Sequence, residues 1–111
     1  MDLYRYLPCI LLEIILRESR KALNDADFDY NEVEVAVFPP FTDLRSAQTL
    51  IDAEKFEVKL GAQDISAHDK GAYTGEISGA MLAKLDVDYV LVGHSERRQY
   101  HGEQDDLLNK K

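Results

Sequence analysis

Tyr89-Val90-Leu91-Val92-Gly93-His94-Ser95-Glu96-Arg97-Arg98 runs from an apolar, β-branched stretch through a glycine into a histidine and then into charge. Four such apolar residues in a row read as a buried strand of a parallel sheet. Gly93 then supplies a tight exit, His94 stands at the strand's carboxyl end, and Ser95 is placed to cap the following helix. A histidine at that point can face a ligand, and the positive end of the helix dipole favours its neutral form.

Working outward, strand and helix patterns alternate. Leu12, Ile15, Leu16, Ser19, Ala22 and Leu23 recur at helical spacing over 9–25, with Arg17, Glu18, Arg20 and Lys21 on the other face. Residues 33–38 read as a strand with Val33, Val35 and Val37 on one face, stopped by Pro39-Pro40. Thr42 is expected to cap a helix that turns Leu44, Ala47, Leu50 and Ile51 inward. A second strand is expected over 56–62 and a third over 88–92. Between them Ile77, Met81 and Leu85 mark a helix at i, i+4, i+8. Glu103-Gln104-Asp105-Asp106 places acids in the first turn of a final helix, as its dipole favours. The alternation implies parallel strands with right-handed crossovers, and no linker or low-complexity segment interrupts it.

Composition narrows the functional classes. A chain of 111 residues fits one domain, and 45% apolar with 31% charged residues is ordinary for a globular protein. The net charge of −8 sets aside nucleic acid and anionic membrane as partners, since both demand a basic face. An anionic substrate would need local positive potential to offset that field. Cys9, the single cysteine, excludes an intrachain disulfide and a thiolate zinc cluster and suits a reducing cytoplasm. It reads as a small buried hydrophobe. The apolar run 9–16 is interrupted by Glu13 and is far short of the ~20 residues that span a bilayer. Asp2 in place of a basic start argues against a signal peptide. His68, His94 and His101 have no i, i+4 partner, so neither a metal nor another cofactor is expected.

The segment 89–98 closely resembles the fourth strand and catalytic His loop of triosephosphate isomerases. The likeness continues through Gly61-Ala62-Gln63-Asp64-Ile65-Ser66-Ala67-His68, Gly71-Ala72-Tyr73-Thr74-Gly75-Glu76-Ile77-Ser78 and Val35-Ala36-Val37-Phe38-Pro39-Pro40-Phe41-Thr42-Asp43-Leu44. Four motifs in the family's order extend from about residue 13 to 111, leaving 1–12 as a divergent segment. The resemblance implies an α/β fold that is part of a TIM (β/α)₈ barrel. Three parallel strands with flanking helices, the family's second to fourth, would form a barrel that is not closed. A whole barrel takes about 250 residues.

The same resemblance assigns roles. His94 matches the neutral imidazole that donates a hydrogen bond to the substrate carbonyl. Glu96 matches a supporting Glu beside the site, although an acid in a helix first turn is equally ordinary. Gln63 and Asp64 match the base, and Thr74 and Glu76 the tip region, of a loop that enters the neighbouring subunit. Arg97 matches an interface arginine; read by itself, it and Arg98 are solvated helix charges. Glycines at 71 and 75 permit a projecting loop, expected to be the most mobile internal segment, but the loop lacks the spacing and Lys of a phosphate cradle.

The implied activity is interconversion of dihydroxyacetone phosphate and glyceraldehyde 3-phosphate in glycolysis and gluconeogenesis. Residues 2–8 do not match the family's first-strand Asn and Lys segment. The family's general base, lid and phosphate loops belong to its later strands, none of which is matched in these residues. The chain alone is therefore expected to be inactive, because losing a positioned base forfeits ~10²–10⁴ in rate. The alternative is a non-catalytic partial barrel serving assembly or binding. Unpaired strand edges make self-association the expectation in either case.

Overall fold

The computed structural model describes residues 9–111, with side chains from residue 12 onward. Residues 1–8 and the Cys9 side chain lie outside that description, so the readings placed on them stay expectations. Helix α1 (Cys9–Asp25) forms where its periodicity places it, but its buried stripe is narrow. Leu16 is buried with Leu12 packed beside it, whereas Ile15, Ser19 and Ala22 are exposed. The helix packs on α2 and reaches the core mainly through the Leu12–Leu16 line.

Three parallel strands follow in the order β1 (Ala36–Val37), β2 (Lys59–Ala62), β3 (Tyr89–Val90). Ala36 pairs with Lys59 and Val37 with Leu60; Gly61 pairs with Tyr89 and Ala62 with Val90. The ladder extends slightly through Lys59 N–H to the Val35 carbonyl at 2.8 Å, Asp88 N–H to Leu60 at 2.8 Å and Leu91 N–H to Ala62 at 2.9 Å. These strands are shorter than 33–38, 56–62 and 88–92. Among the described residues only β2 has a neighbour on each side, and β1 and β3 remain regular only where β2 runs alongside. Val33 belongs to a turn, its N–H bonded to the Asp29 carbonyl, and it is exposed rather than aligned with Val35 and Val37.

The core lies on one face of this sheet. Val58, Leu60 and Ala62 are buried against Leu16, Leu44, Ala47 and Leu82, with Val35, Val37 and Val90 around them. Strand alternation sends Ala36, Phe38, Lys59, Gly61, Tyr89 and Leu91 to the other face. There the Phe38 ring occupies the space that a Cβ on Gly61 would take. The Tyr89 hydroxyl donates to Glu34 Oε2 at 2.6 Å, reaching across β2. That hydrogen bond, followed by desolvation and the charges of Glu34 and Asp88, raises the Tyr89 phenol above its ordinary 10.0. The sheet is open, as the resemblance implies for part of a barrel.

The starts of the two helices that follow β1 and β2 differ from expectation. Thr42 caps nothing: Pro40, with its φ preset, leads into a 3₁₀ turn (Phe41–Asp43) that continues as α2 (Leu44–Glu54). Leu44 and Ala47 are buried there, with Leu50 and Ile51 packed on the core. Helix α3 (Gly79–Ala83) starts at Ser78, whose hydroxyl accepts the Met81 N–H. That start sets its phase, so Leu82 is buried and Met81 is 55% exposed. Ile77 and Leu85 flank Leu82, and the expected Ile77–Met81–Leu85 stripe is corrected accordingly.

After β3 come α4 (Ser95–His101) and α5 (Asp105–Leu108). Glu103 does not open α5; it is buried in the connection, and Gln104 is the N-cap. What holds it is a ring of four alternating charges. Arg97 lies 3.2 Å from Asp64 and 3.1 Å from Glu103, and Lys111 Nζ lies 2.6 Å from each of those carboxylates. Side chains of Glu103 and Lys111 are only 6% and 5% exposed, so each depends on its partners for solvation. Burial pushes Glu103 up, but hydrogen bonds and charge from Lys111 and Arg97 prevail and leave its carboxyl below 4.5. Burial likewise pushes Lys111 down, and Asp64 and Glu103 outweigh it, leaving the ammonium above 10.5.

The sign of each shift fixes a pH window. Glu103 contributes its full stabilisation above 4.5 and loses it as pH falls through its lowered folded value; Lys111 contributes fully below 10.5 and loses its share above that. Urea unfolding between pH 7 and pH 3 should show Glu103→Gln starting less stable and declining less steeply than the unchanged chain. Parallel declines would contradict the assignment.

Candidate active site

At the end of β3 the chain turns through Gly93, whose φ of +77° is a left-handed conformation that favours glycine. His94 follows with φ −57° and ψ 140°, and it, not Ser95, is the N-cap of α4. Its ring Nδ1 accepts the Glu96 backbone N–H at 3.2 Å. Ser95 is already the first helical residue, so the imidazole does the work that its hydroxyl was expected to do. The consequence is chemical. A neutral imidazole accepting at Nδ1 carries its proton on Nε2, as a hydrogen-bond donor. His94 is exposed at the carboxyl end of a parallel strand, where such a donor can meet a small ligand.

Glu96 sits in the first turn of α4, a favourable place for an acid, and is exposed. Gln63, just past β2, donates from its side-chain amide to the Phe38 carbonyl at 2.8 Å, tying together the ends of two strands. Asp64 and Arg97 are partners in the charge ring, so the base of the 63–74 loop is fastened to the helix that begins at His94. The loop is also tied internally, which qualifies its expected freedom. The Ser66 hydroxyl donates to Glu76 at 2.8 Å, and Ser66 N–H bonds the Ile77 carbonyl at 2.8 Å. The His68 and Tyr73 rings stack 3.7 Å apart, centroid to centroid, with the Tyr73 ring against Gly71 where a Cβ would stand. Thr74 is exposed at the tip. Among the described residues no hydrogen bond joins Thr74 or Glu76 to His94, so the site residues form two groups.

Sequence reasoning missed Arg98, Glu103 and Lys111. Arg98 donates from Nε to the Gly93 carbonyl at 3.0 Å and pairs with Asp105 at 2.8 Å. No spacing rule marks such a contact, because it depends on Gly93 folding the chain back beneath its own helix. A shallow cavity between Arg20, Glu54 and Phe56 lies where α1 and α2 end, beside the start of β2 and away from His94. Among the described residues no three His, Cys, Asp or Glu side chains gather as a metal site, and no helix is long and apolar enough to cross a membrane.

Comparison with known proteins agrees with this geometry. The family model described as triosephosphate isomerase matches residues 15–111. A protein of that name from Streptomyces coelicolor is 65% identical over 100 residues, covering 90% of this chain and 39% of its own length. One from Streptomyces avermitilis is 63% identical over the same coverage, and one from Saccharopolyspora erythraea is 56% identical over 100 residues. The chain thus spans about two fifths of the length of the curated relatives it matches. With three parallel strands, an imidazole capping the helix after the third, and a family match over nearly all of its length, the chain belongs to the triosephosphate isomerase family.

Proposed function

We propose that this chain supplies the histidine-bearing part of a triosephosphate isomerase, acting on dihydroxyacetone phosphate and glyceraldehyde 3-phosphate. The observation that carries the reading is the hydrogen bond from Glu96 N–H to His94 Nδ1. When a base removes the proton on the carbon beside a carbonyl, negative charge gathers on the carbonyl oxygen. A fixed neutral N–H donor stabilises that charge without reorganising as it forms. His94 Nε2–H fits this role as the electrophile, and Glu96 stands beside it as a supporting acid. The base and the phosphate contacts would come from strands that the family carries beyond the matched segments.

Self-association belongs to the same proposal. Thr74 would present the loop tip to a second copy, while Gln63, Asp64, Glu76 and Arg97 hold the loop's base. Exposed Tyr73, Met81 and Tyr100 provide apolar area for such a contact. A single cysteine and the triose phosphate substrate suit a cytoplasmic location. Sedimentation as a monomer at tens of micromolar would remove the pairing from the account.

The enzymatic reading is tested by mixing a polypeptide of these residues with one carrying the remaining strands of an eight-stranded barrel, and measuring isomerisation. We expect activity to appear on mixing, and His94→Gln to reduce it by ~10²–10⁴, the range for a lost positioned proton donor. No activity on mixing, or an unchanged rate with His94→Gln, would favour the non-catalytic assembly domain instead.

A further inference from the structure

We propose that Arg98 is the positioning residue for His94, holding in place the peptide planes on both sides of it. The inference rests on the reading of His94 as a neutral Nε2–H donor. The backbone N–H of Arg98 donates to the His94 carbonyl at 3.1 Å, closing the first turn of α4. The side-chain Nε of the same residue donates to the Gly93 carbonyl at 3.0 Å. Those carbonyls belong to the two peptides that flank the His94 Cα, so one residue restrains both of its backbone torsions. With the backbone held, the Glu96 N–H need only orient the ring, which it does through Nδ1.

The guanidinium is itself placed from the far side. Its Nη1 lies 2.8 Å from Asp105 in α5, and its Nη2 and the Leu108 Cδ1 are the atoms a Cβ on Gly93 would meet, at 3.2 and 3.3 Å. A left-handed turn closely covered by a guanidinium and a leucine has little room to change conformation. The Asp105 pair is half exposed on one side and almost wholly exposed on the other, so its energy is small. Its role is directional: it aims the fork so that Nε faces Gly93. The planar fork matters, because it reaches Gly93 from Nε and Asp105 from Nη1, two separated nitrogens that the one nitrogen of a lysine does not reproduce.

The test reads the imidazole directly, without need of activity. Long-range ¹H–¹⁵N spectra of the chain at neutral pH should show His94 as one tautomer, with Nδ1 unprotonated and Nε2 protonated. In Arg98→Gln the two His94 nitrogen signals should move toward each other as tautomers average, while His68 and His101 keep theirs. Exchange of the Glu96 amide should quicken by about five- to tenfold, the effect of losing one ordinary hydrogen bond. Arg98→Lys should give an intermediate separation, and it replaces Arg98→Gln as the readout if His68 and His101 show that variant to be unfolded. A single His94 tautomer that persists in the variants overturns the positioning role and leaves the proposed function standing. A mixed or Nδ1-protonated His94 in the unchanged chain overturns both.

Discussion

Everything in this structure is arranged around one strand. Among the described residues β2 alone has a parallel neighbour on each side, and its Leu60 and Ala62, with Val58 just before it, fill the core between sheet and helices. Parallel strands contribute no local contacts to one another, so each pairing depends on a long crossover being held against the sheet. Here the crossovers are held by few groups: Leu44 and Ala47 in α2, Leu82 in α3, and Leu16 from α1. Among the described residues the opposite face is spanned by the Phe38 ring over Gly61 and by the Tyr89–Glu34 hydrogen bond, and the core helices lie on the other side. That asymmetry is what part of a barrel should show, since the uncovered face is the one a closed barrel turns inward.

The site depends on the same strand. Gln63 and Asp64 leave the end of β2 and reach in opposite directions, one to the Phe38 carbonyl beyond β1 and the other to Arg97 in α4. Helix α4 is therefore gripped twice in its first turn, by the interactions of Gly93, His94 and Arg98 and, through Arg97, by the charge ring. Such a ring is an expensive way to join two elements, because Glu103 and Lys111 leave bulk water and one oxygen, Glu103 Oε1, has no hydrogen-bond partner among the described residues. Its advantage is geometric. An apolar cluster at this place would tolerate sliding, whereas fixed N–O pairs at 2.6–3.2 Å hold the loop base and the helix in one relative position.

Much of this was legible in the sequence, and the remainder failed for identifiable reasons. Strand order, parallel sense and the place of His94 followed from apolar runs ending in glycine and proline, and from the family resemblance. Strand limits did not, because pairing depends on a neighbour that a run of valines cannot reveal. Ser95 and Thr42 were plausible caps by residue type, yet each lies one or two positions from the actual cap; an imidazole and a Pro-led 3₁₀ turn took those roles. Met81 fell outside the core because the Ser78 cap set the phase of a five-residue helix. Arg98 was read as a solvated charge and Glu103 as an acid in the first turn of the last helix; Arg98 does stay exposed but folds back onto the Gly93 carbonyl, and the chain reversal after α4 buries Glu103.

If β2 organises the rest of the molecule, native-state hydrogen exchange should show it. The amides of Lys59, Asp88 and Leu91, which donate into or out of β2, should be among the slowest to exchange. Those of α5 and of the loop tip at Thr74 should exchange far faster. If the slowest amides fall instead in α1, with Lys59, Asp88 and Leu91 exchanging at the rate of the loop tip, then the helix and not the strand holds the structure together, and the account is wrong.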